Sequence, residues 1–593
     1  MLSPRRGSPG YVYRIGGLIV DNHLTEGEQT MTVSRRTVLT GLAAGAVAAP
    51  LAACSSSGST RTTSSTTANT AAAMGGAFSL TFDTSDYTTL TKTVSVGSGN
   101  VTVKYRFYRN NVYVRHAVNY KYQSLNVSVP IEINGKAVDA TSAPVMFSIN
   151  VGGYTSSSAW DATAQGGGMS GGTAAGGFSS GTSGSKSGAP GGSGGPPSGG
   201  SGAPSGSSGG GSSGGGSVGL GSSMASYYTS YDDGEMALAH GYVVVEPGCR
   251  GRDLQWSDGK YYGKAPTMIV DLKAAVRYLR YNASRIPGNM DWIITSGGSA
   301  GGALSTMVAA SGNSSLYDDD LNALGAANES DSVWLSASYS PITDLDHADM
   351  QYEWMWGTLP YGSSLVNQTY SKQLIEQFGG YLDTLALRGI NGSGMLTVEN
   401  YAAYMLDNYL VPSATKALSE TLTDSEREAY LKKNTWITWS GSEASFSFEK
   451  FLKHVGTRMK TVPAFDGFDL QETENTVFGD ADANARHFTL YSLRHATGDS
   501  TAQLASDLPQ TIAMMNPMYH LRQKNPDRAR HWWIRTGTLD TNTAHTVVCD
   551  LAAITTGLGD SVNSALYWDG GHAVNFDSPD LMSWIGQLTG YSA

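Results

Sequence analysis

The stretch ITSGGSAGGALSTM, which opens at Ile294, constrains the fold more than any other part of this chain. It continues the apolar segment DWII and leads into AGGALSTMVAAS, whose pattern predicts a helix. A strand that passes through Gly297-Gly298-Ser299-Ala300-Gly301 into a helix must turn sharply, and only small residues fit where strand, turn and helix crowd together. Such a turn lifts the Ser299 hydroxyl to the carboxyl edge of a sheet. It also aims the first helical amides, that of Ala300 foremost, at the same point, where a developing negative charge can be stabilised. The Gly-x-Ser-x-Gly pattern recurs by chance in the glycine-rich tract, as around Ser193, but only Ser299 has an apolar strand before it and a helix after it.

The surroundings predict an α/β protein. GYVVVEPG (241–248), DWIITSGG, VWLSASYSP (333–341), HWWIRTG (531–537) and ALYWDGG (565–571) read as buried strands. Helical patterns alternate with them, as in APTMIVDLKAAVRYLRYN and around 546–556, which implies a mostly parallel sheet with helices on both faces. Ahead of these, NVTVKYRFY and NVYVRHAV alternate around Asn110-Asn111, a predicted hairpin, and QSLNVSVPI and PVMFSINVGGY follow as strands. Strand, Gly-x-Ser-x-Gly and helix together are the nucleophile elbow of the α/β-hydrolases.

A serine hydroxyl needs a histidine base, and the base needs a carboxylate to fix its tautomer. In this fold the chain order is serine, acid, histidine. His572 directly follows the apolar run ALYWDGG, and Asp540 follows WWIRTGTL, so each sits just past a predicted strand. Asp569 is nearer to His572 but lies on the other side of the histidine turn. The oxyanion hole is expected from the amide of Ala300 and a second amide after an early strand, where INVGGYTSSS offers Gly153, with Gly152 next.

With these residues placed, the chain resembles the bacterial tannases and their feruloyl-esterase-like relatives. The likeness is carried by MALAHGYVVVEPGCRGR, APTMIVDLKAAVRYLRYNASRIPG, SGGSAGGALS, VPAFDGFDL and IRTGTLDTNT. It implies an α/β-hydrolase with a large cap, acting on galloyl or similar phenolic esters. It also implies a cap lysine, a cap glutamate and an aspartate just after the catalytic acid that grip the ring hydroxyls. Lys460 and Glu474 match the first two, and the third position is Asn542, which cannot supply a carboxylate. Two alternatives stay open: a general carboxylesterase or peptidase on the same scaffold, and an inactive hydrolase serving as a surface-binding lipoprotein.

The N-terminal part reads as an address. From Met31, MTVSRRTVLTGLAAGAVAAPLAAC has paired arginines, Arg35 and Arg36, an apolar run and a cysteine, Cys54, in a lipobox-like setting. The expected layout is an upstream extension (1–30) and a twin-arginine lipoprotein signal (31–54) that leaves Cys54 lipidated. A tether (55–75), core strands (76–164) and a Gly/Ser-rich insert (165–223) expected to be disordered follow. Then come the core with the elbow (224–345), a cap (346–510) and the core with acid and histidine (511–593). This places the protein outside the cytoplasm, lipid-anchored to the membrane or secreted.

A net charge of −11 argues against a nucleic-acid partner, which needs a basic footprint. No cofactor or metal motif is read: Asp232-Asp233 and Asp318–Asp320 lack the alternating spacing of a calcium loop and are expected as surface acids. Cys249 and Cys549 follow buried-looking segments and are at least as readily free core thiols as a pair. The aromatic run MQYEWMWGTLPYG (350–362) is expected mainly to pack the cap on the core. The oligomeric state is not legible.

Overall fold

The computed structural model describes residues 77–97, 99–161 and 224–593. The expected signal, Cys54, the expected tether and the Gly/Ser-rich insert lie outside the described residues. One sheet of ten strands organises the rest. In chain order these are β1 (Thr88–Ser95), β2 (Asn100–Val112), β3 (Ser124–Ile133), β4 (Lys136–Ala137) and β5 (Val145–Ser148). They continue with β6 (Val243–Pro247), β7 (Ile293–Gly298), β8 (Leu335–Tyr339), β9 (His531–Gly537) and β10 (Ser561–Tyr567). Across the sheet the order is β1-β2-β3-β6-β5-β7-β8-β9-β10, with β4 paired to β3.

The sheet has two halves. From β1 to β6 neighbours pair antiparallel, and from β6 to β10 they pair parallel. The sequence explains the division. β2 alternates, burying Val103, Tyr105 and Phe107 and exposing Thr102, Lys104 and Arg106, as a strand with one wet face must. β5 (VMFS) and β8 (LSASY) are buried throughout, as strands covered on both faces require. The period of two then sorts β5 between two cores: Val145 and Phe147 join one apolar cluster and Met146 the other.

Helices cover both faces. They include α1 (Asp233–Ala239), α2 (Thr267–Tyr281), α3 (Ala300–Ala310), α4 (Leu345–Trp356), α5 (Gln368–Leu385), α6 (Phe448–Val455), α7 (Thr473–Val477), α8 (His545–Gly557) and α9 (Ser578–Thr589). Residues of α2, α3 and α8 join the cluster of Val145 and Phe147, and residues of α1 and α9 join that of Met146. Among the described residues no helix is long and apolar enough to cross a membrane.

Two expectations need correction. β2 runs straight through Asn110-Asn111, and its register with β3 shifts between Tyr108 and Asn111. Asn110 takes a left-handed φ of 60°, so the asparagines mark a bulge instead of a turn. The antiparallel pair on this side is instead β1 with β2, with Ser95 opposite Asn100. Asp232 and Asp233 are not surface acids. Asp232 caps α1 by accepting from the Glu235 amide at 2.8 Å. Asp233 is buried and accepts from Ser296, Tyr339, Asn575 and Ser578, donors that replace the water it loses. Asp318–Asp320 are exposed, and Cys249 and Cys549 are free and buried.

Candidate active site

The strand order reverses beside β5: the chain moves out to β6, then crosses back over β5 to β7. A crevice at the carboxyl ends of the strands is the usual consequence of such a switch. The candidate residues gather there, because Gly152-Gly153 follow β5, Ser299 follows β7, Asp540 follows β9 and His572 follows β10.

Ser299 occupies the turn from β7 into α3 with φ 58° and ψ −123°, a strained conformation for a residue with a side chain. Its amide donates to Tyr339 O on β8 at 2.8 Å. The glycines around it are sterically required. A Cβ on Gly297 would lie 2.5 Å from the Gly301 backbone, and one on Gly301 would lie 2.5 Å from Ile149 O. Half-buried Ser299 donates through Oγ to His572 Nε2 at 2.8 Å. The His572 Nδ1–H donates to both Asp540 oxygens, at 3.0 and 2.9 Å. This bonding assigns the proton to Nδ1 and leaves Nε2 as the acceptor.

Asp540 is fully buried, and burial alone would raise its pKa. The facing His572, its hydrogen bond, the Ser340 hydroxyl and the Asn542 amide outweigh that and hold the carboxyl below its ordinary value. Thr536 Oγ1 also donates to Asp540, at 3.1 Å. Ser340, in a left-handed conformation just past β8, bonds Thr536 and accepts from the Ala573 amide at 2.9 Å. It thereby fastens the acid's surroundings to the histidine's loop. The sequence reading missed Ser340; its one signal is its place directly after a buried strand.

The loop after β5 is pinned against the elbow, where the Gly301 amide donates to Val151 O at 2.9 Å. Ala300 begins α3, so its amide is one that a helix leaves without an internal partner. Gly152 O accepts from both the amide and the hydroxyl of Thr155, at 3.0 and 2.8 Å. That turns the Gly153 N–H of the same trans peptide the opposite way. Gly153 has φ 54°, and Tyr154 is anchored by its hydroxyl to Ile342 O.

Lys460 and Glu474 form an ion pair, Nζ to Oε2 at 3.4 Å, with the Lys460 ammonium 4.2 Å above the centre of the Phe465 ring. Glu472 lies 4.0 Å from the same ammonium, and its carboxyl is raised to about 7, by burial first and by Glu474 and Asp469 besides. The aromatic run 350–362 packs cap on core, and it does so beside the acid. On α4, Tyr352 donates to Thr541 O at 2.6 Å and Trp356 to Thr543 O at 2.9 Å. The partly buried Asn542 is held between those two carbonyls. Tyr352 OH also accepts from the Lys460 amide, at 3.2 Å, so one helix touches both Lys460 and the segment of Asn542. Farther along, Asp344, Asp346 and His347 lie close enough to share an ion, but their carboxylates already accept from Asn516, Gln351, Tyr381 and His347.

The BD-FAE family model matches residues 214–377. Among solved structures, tannin acyl hydrolase from Lactobacillus plantarum is similar over 86% of this chain and 99% of its own, at 31% identity and a TM-score of 0.66. A tannin acyl hydrolase in complex with ethyl gallate matches at 30% identity, 86% and 99% coverage and a TM-score of 0.65. Fusobacterium nucleatum tannase matches at 28% identity, 86% and 100% coverage and a TM-score of 0.65. No curated protein matches the sequence. Fold, site and these likenesses together make the chain a carboxylic ester hydrolase that belongs to the tannase family of α/β-hydrolases.

Proposed function

We propose that this protein hydrolyses galloyl or related phenolic esters through an acyl-enzyme on Ser299. The observation that carries the reading is the unbroken hydrogen-bonded chain from Ser299 Oγ through His572 to Asp540 at one sheet edge. Ser299 Oγ attacks the ester carbonyl carbon while His572 Nε2 takes its proton. The carbonyl oxygen, now negative, accepts from the Ala300 and Gly153 amides, with Gly152 adjoining. When the C–O bond to the alcohol breaks, His572 returns the proton to the leaving oxygen. Water then attacks the acyl-serine with His572 again as base, releasing the acid and restoring the hydroxyl. Buried Asp540 stays ionised and stabilises the imidazolium.

In this reading the acyl ring lies between Lys460, Glu474 and Asn542. The relative's ethyl gallate complex supports a galloyl-type ring. Asn542 offers a neutral amide where the resemblance implies a carboxylate, which relaxes the demand for a full set of ring hydroxyls. Methyl gallate, methyl ferulate, p-nitrophenyl acetate and a peptide amide, assayed side by side, test the reading together with fluorophosphonate labelling. Turnover of the phenolic esters and labelling lost in Ser299→Ala are the expected results. Turnover of p-nitrophenyl acetate alone makes it a general esterase, and no turnover with no label makes it a binding protein.

The paired arginines and Cys54 support a lipid-anchored protein outside the cytoplasm. Intact mass of the mature protein tests this, since an unmodified Cys54 or a retained Met1 overturns it.

A further inference from the structure

Arg252 lies on the loop that follows β6, and it joins two parts of the site that no other side chain described above joins. Its Nε donates to Gly153 O at 2.6 Å, and its Nη1 donates to Thr476 Oγ1 at 2.9 Å. Thr476 sits on α7, two residues after Glu474. Arg252 is itself held from behind: Lys264 Nζ donates to Arg252 O at 2.8 Å and to Thr476 O and Asn484 Oδ1, each at 2.9 Å. The guanidinium is half-buried, and Glu474 is the leading charge that offsets the burial.

The loop it grips needs gripping. Two glycines in tandem have soft backbone torsions, and a Cβ on Gly152 would meet nothing within 4 Å. Side-chain packing therefore does not hold Gly153 and leaves its aim to hydrogen bonds, whereas an oxyanion hole works only when its donors hold their aim within about 10–20°. The Thr155 bonds to Gly152 O set the peptide that carries the Gly153 N–H, and a directional hydrogen bond to Gly153 O, delivered by a planar group anchored on α7, sets the next peptide plane and so removes the freedom left at Gly153.

We propose that Arg252 is a positioning residue of the oxyanion hole, holding the peptide after Gly153, and through it the Gly153 N–H, from the same short helix that carries Glu474. The proposal rests on the serine-esterase reading. The ring contact and the oxyanion donors then share one brace, so a well-seated ring is expressed in turnover as well as in binding. Lysine at the position keeps the charge but loses the two-point geometry.

The test uses the full chain with Arg252→Met and Arg252→Lys. Each is assayed on methyl gallate and p-nitrophenyl acetate, with phenylboronic acid as the tetrahedral probe and gallate as the product probe. Arg252→Met is expected to lower kcat about 10–100-fold on both esters and to weaken the boronate by a similar factor, somewhat less than the loss of a whole oxyanion donor. KM for methyl gallate and gallate binding change less than about threefold, and Arg252→Lys recovers part of kcat. Should Arg252→Met fail to fold, Thr476→Val removes the α7 anchor alone and gives a smaller loss of the same kind. Unchanged kcat overturns the proposal, as does weaker gallate binding with boronate affinity intact. The p-nitrophenyl acetate and boronate arms need no phenolic specificity, so an enzyme inactive on gallate esters sinks the substrate assignment and leaves Arg252 tested.

Discussion

Two histidine–aspartate pairs meet on the loop after β10, three residues apart, and they differ in what surrounds the imidazole. His572 bonds Asp540 through Nδ1 and reaches Ser299 with Nε2, and its side chain is 20% exposed. His454, on α6, bonds Asp569 through Nε2 at 2.7 Å, is 7% exposed, and lies parallel to the Trp568 ring and beside Trp436. Asp569 also accepts from Tyr430 OH at 2.8 Å and from the Met224 amide at 3.1 Å. The first pair has an acceptor nitrogen left over, aimed at a nucleophile. The second points its imidazole into an aromatic wall and ties the cap, the histidine loop and the segment at Met224 into one brace. The same two residue types thus leave one imidazole facing a hydroxyl and the other facing an aromatic wall, and on the proposed mechanism only the first relays a proton.

The sharpest way to break this comparison is Asp540→Asn. The amide cannot hold the proton on Nδ1, so kcat is expected to fall about 10⁴-fold at neutral pH while the protein stays folded. Steady-state kinetics beside a thermal melt separate the two effects. His454→Ala is the counterpart. It leaves Asp569 buried with only its Tyr430 and Met224 donors, which is expected to cost about 2–4 kcal/mol of stability in denaturant unfolding. Turnover per folded molecule stays within about threefold. If His454→Ala instead loses activity like Asp540→Asn at unchanged stability, the distinction between the pairs fails.

The third and smallest effect concerns His347, which stacks on Tyr381 of α5 and faces Asp344 and Asp346. Burial alone would depress this imidazole, but the two carboxylates raise it to about 10. A raised histidine stabilises the fold fully below its unfolded value near 6.5, and that contribution fades as pH rises through the folded value. The melting temperature is therefore expected to drop between pH 7 and 10, and His347→Gln should flatten the slope. Asp540 works in the opposite sense, because its depressed carboxyl surrenders stability only in acid. A wild-type melting temperature flat from pH 7 to 10 counts against the charged cluster.

The candidate triad was legible because each member directly follows an apolar strand, and parallel strands deliver their ends to one edge. Lys460 and Glu474 needed the family likeness, since nothing in their local pattern sets them apart from other cap charges. Arg252, Ser340 and Tyr154 were invisible for a different reason. Each acts across a gap between segments distant in sequence, such as Arg252 to Thr476, and no local periodicity records such a contact. The hairpin expected at Asn110-Asn111 failed because two asparagines suit a left-handed bulge as well as a turn. Asp233 was misread because a buried carboxylate with four neutral donors looks, in sequence, like any surface acid.

The serine precedes its base by 273 residues, with the whole cap encoded between them. At about 5–20 residues per second of synthesis, roughly 14–55 s separate the two on the ribosome. On the proposed mechanism the hydroxyl is therefore made long before the imidazole that activates it, and competence is among the late properties the growing polypeptide acquires. A stop codon that falls between the elbow and His572 yields a molecule that carries Ser299 and lacks the imidazole its hydroxyl faces.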